Sequence, residues 1–469
     1  MNFVVLDLVL LGVFLLFVGM FLYRNRKNVK KDGWLLLYRT KWGMRLIENT
    51  AKKHPKTLKV MSYIIVVLGY ILTVLMLWMF IRIIWIYLFN ADIVRAIKIP
   101  PITPLIPYLP QVFKLNFLPP FYFIYWIIII AAIAIPHEFF HGIYMRLYGI
   151  KIKSTGFGFF PFFLPIFLAA FVEQDEKSMV KASNHNQRVV LAAGTFANTL
   201  TAIIGLILVA IFFSFSFTAS GIVFDGYAYE IVNTSQLTMV NGIALDNPSY
   251  AQIADLVDDT ENANFSIGEQ QYLGLRGSSS DGSLVALYNS APAIKSDLYG
   301  PIISVNGNSI SSIEDFSNEL SKYSIGEEIT LTTEVNGERI DYQITLEENP
   351  ENPGTAWIGI TFLQQSQGLM TKILTSANFY KKPHIYYAED YEGAQFIYDL
   401  LWWLVLISFS VALINMLPMG IFDGGRFFYL TVLKLTKSEK AARNSFKWLT
   451  WFLLFLVLLI MVYWVIAII

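Results

Sequence analysis

Six long apolar stretches, near residues 3–23, 61–89, 121–145, 189–217, 396–417 and 448–469, alternate with polar segments along the chain. Each is long enough for a helix that crosses a bilayer, which needs about 20 mostly apolar residues. The pattern predicts an α-helical polytopic membrane protein with six transmembrane helices. Residues 154–172, STGFGFFPFFLPIFLAAFV, are also apolar but are broken by Gly156, Gly158, Pro161 and Pro165. They make a poor spanning helix and read as a re-entrant or extended element. Non-helical backbone at membrane depth must be shielded by protein or line a wet cavity.

From about residue 218 the pattern changes. Residues 218–393 are polar, and 328–346, EITLTTEVNGERIDYQITL, alternate as strands do, with Asn336-Gly337 as a hairpin turn. Residues 314–323 have helical spacing. MVNGIALDNPSYAQIADLV at 239–257 faintly echoes SVNGNSISSIEDFSNELSK at 304–322. Two half-similar units, or one domain plus an insertion, fit equally well. The predicted organisation has four parts. Residues 1–118 hold N-terminal transmembrane helices and a basic loop, and 119–217 hold a first half-core. Residues 218–393 form an inserted α+β domain, and 394–469 hold a second half-core and the last helix.

Charge orients this plan. Formal net charge is zero, with 35 basic and 35 acidic residues, but the two signs are segregated. The first apolar run is followed by Arg24, Arg26, Lys27, Lys30 and Lys31, which argues for an anchor with its N-terminus outside rather than a cleaved signal. The loops 24–60, 146–188 and 426–447 then lie inside, and they hold 24 of the 35 Lys and Arg. Residues 218–393 hold 24 of the 35 acids and lie outside, as do both termini. Residues 33–59, with Trp34 and Trp42, are expected on the inner membrane surface. Arg82, inside a span, has no evident role. Cysteine is absent, so any metal must be held by His and carboxylates. No feature calls for nucleic acid as a partner.

The third stretch carries candidate chemistry: His137-Glu138-Phe139-Phe140-His141. On a helix, i and i+4 share a face, so both imidazoles point one way with Glu138 beside them. That arrangement holds zinc, with the glutamate as general base. Two His and a Glu are costly in a membrane and mark a functional site. A catalytic zinc needs a third protein ligand. Asp423 is a candidate, in Asn415-Met-Leu-Pro-Met-Gly-Ile-Phe-Asp-Gly424. It lies three residues before Arg426 just past the fifth span, and His141 lies five before Arg146, so both sit at similar depth. Pro418 and Gly420 would break the helix and turn Asp423 inward. A plain turn with a capping Asp explains the same residues.

HEFFH in one membrane helix together with Asn415-x-x-Pro418-x-x-x-x-Asp423-Gly424 in a later one resembles the site-2 protease family of intramembrane zinc metalloproteases. The resemblance covers roughly 119–217 and 394–430. It implies one Zn2+ held by His137, His141 and Asp423, with Glu138 activating water. It implies substrate-binding or site-shaping roles for Asn415, Pro418, Gly424 and Asn198. The last belongs to Gly194-Thr-Phe-Ala-Asn198, where the family usually has Pro in place of Thr195; Phe422 replaces its usual Leu. The external domain resembles the PDZ modules that many members carry, best at 289–307 and 314–346. The implied activity is cleavage of single-span membrane proteins in or near their spans, at a site close to the cytoplasmic face of the cell membrane. A peptide or protein C-terminus is the implied partner of the PDZ-like domain. Two alternatives are a membrane metal transporter, which needs several such sites along a pore, and a non-catalytic PDZ scaffold, which would not need Glu138.

Overall fold

In the computed structural model each of the six long apolar stretches lies in a long helix. The structure describes residues 3–32, 35–90, 94–95, 100–101, 105–115, 117–159, 168–257, 263–279, 281–335, 337–362, 376 and 378–468. Trp34, Pro161, Pro165 and Asn336 lie outside them. Among the described residues, six helices are long and apolar enough to cross a membrane. The chain forms two compact units, Met1–Ile211 with Gln395–Ile469, and Phe212–Ala394.

The first unit contains helices α1 (Phe3–Arg24), α2 (Met44–Lys53), α3 (Pro55–Phe89), α4 (Phe123–Leu147), α5 (Glu176–Lys181), α6 (Asn184–Ser216), α7 (Ala394–Asn415), α8 (Asp423–Thr436) and α9 (Glu439–Ile468). Its main core joins Ile47 of α2, Ile65 of α3, Tyr144 of α4, Val189 to Ala193 of α6 and Phe427 of α8. Gly142 lets α2 approach α4: a Cβ there would stand 2.7 Å from Ile47 Cδ1.

Residues 29–32 and 35–40 are extended. They form strands β1 (Val29–Asp32) and β2 (Leu35–Thr40), which join β3 (Ile152–Phe159) and β4 (Leu168–Gln174) in one antiparallel sheet of order β1-β2-β3-β4. The run Leu35-Leu36-Leu37 has no alternation to betray a strand, because its neighbours rather than water decide its two faces. The glycines of β3 have a reason. Across the sheet Gly156 pairs with Arg39 and Phe171, and a Cβ on it would stand 2.2 Å from Tyr38 O and 2.6 Å from the Phe171 ring.

One buried acid ties α1 to α4. Asp7, 2% exposed, accepts hydrogen bonds from the backbone N–H of Phe123 (2.7 Å) and Ile124 (2.9 Å) and from the Tyr108 hydroxyl. Phe123 and Ile124 open α4, so Asp7 satisfies two of the four N–H groups that a helix start leaves without partners. Its position also suits the positive end of the helix dipole.

The second unit has two hydrophobic cores, one around Val240, Ile253 and Phe265, the other around Val305, Phe316 and Ile329. The two echoing sequences take the same local form. Asn241-Gly242 and Asn306-Gly307 are turns with positive φ throughout (49°, 80°, 47° and 79°). Each Asn side-chain oxygen accepts from a later strand, Asn241 from Asn264 N at 2.8 Å and Asn306 from Thr330 N at 2.7 Å. Ser249 and Ser312 then cap the helices Tyr250–Leu256 and Ile313–Leu320. A repeated strand–turn–helix motif, each copy with its own core, describes this unit.

Candidate metal centre

His137 and His141 stand one turn apart on α4, with their Nε2 atoms 3.0 Å from each other. Asp423 is the first residue of α8, after a turn in which α7 ends at Asn415. Its Oδ2 lies 3.3 Å from His141 Nε2 and 3.7 Å from His137 Nε2. A carboxylate at a helix start is favoured by the helix dipole. The turn is tight: a Cβ on Gly424 would stand 2.4 Å from Met416 C, and one on Gly425 2.2 Å from Met419 O. Glycine is therefore required where the returning helix crosses the end of α7.

The donor set fits a metal ion. His137, His141 and Asp423 each offer one ligand atom, all within 4.8 Å of one another. A tetrahedral ion with bonds of about 2.0–2.2 Å keeps neighbouring ligand atoms roughly 3.4 Å apart. The observed 3.0, 3.3 and 3.7 Å straddle that value. The second ring nitrogen of His141 is 2.6 Å from Val190 O, so Nδ1–H donates to the carbonyl and Nε2 turns its lone pair inward. Gly194 of α6 lies directly under the rings, where a Cβ would stand 2.3 Å from His141 Nε2 and 2.6 Å from His137 Nε2.

Glu138 projects from the same turn of α4 and accepts a hydrogen bond from Val172 N at 2.7 Å. Val172 is on β4, the edge strand of the sheet. That N–H points away from β3, so the open edge of β4 faces Glu138. A cavity of about 560 Å³ joins these parts, lined by His137, Glu138, His141, Asp423, Phe171 and Glu173 among others. Its polar rim is organised by ion pairs. Arg39 Nε meets Glu173 Oε2 at 2.8 Å, and Arg426, one turn after Asp423, meets Glu176 at 3.1 Å. Asp175 caps α5 by accepting from Ser178 N, and this bond holds its carboxyl below the usual range.

Residues 125–460 match the model of peptidase family M50, a span that includes His137, Glu138, His141 and Asp423. The chain belongs to peptidase family M50. Membership makes it a metallopeptidase, and six apolar helices make it a multi-pass membrane protein. No curated protein matches this M50 peptidase. One solved structure with some likeness is the PDZ domain of an SdrC-like protein from Listeria monocytogenes. It is 22% identical, covers 15% of this chain and 76% of that domain, and has a TM-score of 0.14.

Of the residues singled out from sequence, His137, Glu138, His141 and Asp423 come together in the M50 peptidase. Asn198 contacts His137 from α6. Gly424 acts through backbone packing. Asn415 and Pro418 are not among the residues lining the cavity; they end α7 and shape the turn. The two ends of the 154–172 segment, read as re-entrant or extended, are the strands β3 and β4. The sequence reading missed the Val190 carbonyl and the rim pairs, which have no local signal because each is defined by a partner distant in sequence.

Proposed function

We propose that this M50 peptidase is a zinc endopeptidase that hydrolyses bonds within or near the transmembrane segments of single-span membrane proteins. The observation that carries this reading is the convergence of His137, His141 and Asp423 with Glu138 beside the open edge of β4. His137, His141 and Asp423 would hold the ion. Zinc, when bound there, polarises the scissile carbonyl and lowers the pKa of water toward ~7. Glu138 takes the proton from the attacking water and delivers it to the leaving amine. A membrane substrate arrives as a helix whose carbonyls are bonded internally, so it must unwind locally. The open edge of β4 offers replacement backbone bonds to the unwound strand, beside Glu138.

On the count of basic residues, we place both termini and the inserted unit outside and the metal group near the cytoplasmic face. The inserted unit is read as PDZ-like, screening bulky external parts of a substrate or taking a newly made C-terminus. A metal transporter would need further ligand groups along the bundle; among the described residues there is one group.

The test is purification in detergent, zinc analysis, and incubation with single-span substrates with and without a chelator. Glu138→Gln is expected to keep zinc and to lower the cleavage rate by ~10²–10⁴-fold. Cleavage near the wild-type rate in that variant, or cleavage unaffected by full removal of metal, refutes the reading.

A further inference from the structure

Asn198 sits on α6 one turn after Gly194 and is completely buried. It is not among the residues lining the cavity, so it cannot reach a substrate strand. Its amide lies against His137, with Nδ2 2.9 Å from His137 Nδ1. Its Oδ1 is buried with no hydrogen-bond partner. These two facts describe the chain with a metal-free tautomer, in which Nδ1 of His137 accepts and Nε2 carries the hydrogen.

That tautomer cannot ligate through Nε2, since a metal takes the lone pair where the hydrogen sits. Turning the amide by a half rotation about its Cβ–Cγ bond resolves both defects at once. The orphaned oxygen then faces His137 Nδ1, which donates its hydrogen, and Nε2 presents its lone pair toward Asp423. His141 already has this arrangement through Val190 O. We infer that Asn198 is a positioning residue that fixes the tautomer and ring orientation of His137 for the metal, and that it does so through its side-chain oxygen. It thereby supplies from α6 what the Val190 carbonyl supplies for His141. A neutral acceptor on a ligating imidazole steadies the ring and raises its donor strength.

The inference rests on His137 being a ligand, and the experiment separates the two. Zinc affinity is measured by chelator competition on the full-length protein in detergent, for the wild type, Asn198→Leu and Asn198→Asp. Leucine keeps the volume and removes the acceptor; aspartate keeps the acceptor. Asn198→Leu is expected to bind zinc ~10–100-fold more weakly, whereas Asn198→Asp stays near the wild type. Wild-type affinity in Asn198→Leu, or equal loss in both variants, overturns the inference while leaving His137 as a ligand. A wild type that binds no zinc overturns both.

Spectra of the wild type labelled with 15N-histidine keep the question open to test if Asn198→Leu fails to fold. The chain has only five histidines, which makes assignment practicable. With zinc bound, His137 is expected to show a protonated, hydrogen-bonded Nδ1. Zinc on Nε2 leaves Nδ1 protonated whatever its partner, so a His137 Nδ1 proton with no hydrogen-bond shift in the zinc-loaded protein overturns the inference.

Discussion

At the scale of residues, the centre depends on two kinds of atom: those that ligate and those that leave room. We propose Asp423 for the first kind, and Asn415 is the natural control because it belongs to the same motif but ends α7 and does not line the cavity. Asp423→Ala is expected to weaken zinc binding by more than ~100-fold, beyond the ~10–100-fold typical of an outer partner. Asn415→Ala should retain most of the metal. Elemental analysis after dialysis decides it, and full zinc in Asp423→Ala would move the third ligand elsewhere. Gly194 is of the second kind. Any Cβ there overlaps both imidazoles, at 2.3 and 2.6 Å from their Nε2 atoms. Gly194→Ala should therefore lose zinc while the protein remains folded, because alanine favours the helix that glycine weakens. A variant with wild-type zinc content would mean that α6 can withdraw from α4.

At the scale of elements, β4 has two edges with different duties. One is paired with β3; the other faces Glu138 through Val172 N. N–H groups along a strand alternate between its edges, so Ala170 points the same way as Val172. Ala170→Pro removes one N–H from the open edge and none from the ladder with β3. If substrates add to that edge, kcat/KM on membrane substrates should fall about 3–10-fold, the worth of one backbone hydrogen bond, with zinc content unchanged. Unaltered kcat/KM in a folded variant would remove β4 from the substrate path. The α1–α4 contact shows a further duty of an element. Asp7 caps α4 from a different helix, which fixes where the metal-binding helix begins. The acid was visible in an otherwise apolar run, but its partner, 116 residues away, was not.

At the scale of the molecule, the inserted unit links the C-terminal end of α6 to the start of α7 along the chain. Asp423 follows the C-terminal end of α7, whose 22 residues span about 33 Å. Asn198 lies 18 residues before the end of α6, roughly 27 Å along it. A unit attached at those ends is expected to govern admission rather than bond cleavage. Deleting residues 222–365 should leave a zinc-loaded enzyme that still cuts short single-span peptides. Substrates with large external domains should be cut better than by the intact chain. A folded, zinc-loaded truncation that cuts nothing would make the unit part of the catalytic machinery.

The sequence alone determined the number and approximate position of the long helices, because apolar length is a local property that a bilayer reads directly; several begin five to nine residues before their apolar run. It also placed His137 and His141 side by side with Glu138 next to them, because helix periodicity puts i and i+4 on one face whatever the surroundings. Asp423 was legible as a candidate through matched depth, yet a capping Asp in a Pro-Gly turn looks the same along the chain. Only the tertiary structure brought its Oδ2 to 3.3 Å from His141. The same holds for residues 35–40, whose strand pairing with β3 depends on a partner more than a hundred residues away. It holds for Val190 and Asn198, whose bonds to the two imidazoles come from a separate helix. Local pattern records which atoms a residue carries and which way its element turns them. What those atoms meet is decided by packing between distant segments, and that is where a pair of histidines gains the carboxylate that completes a candidate metal site.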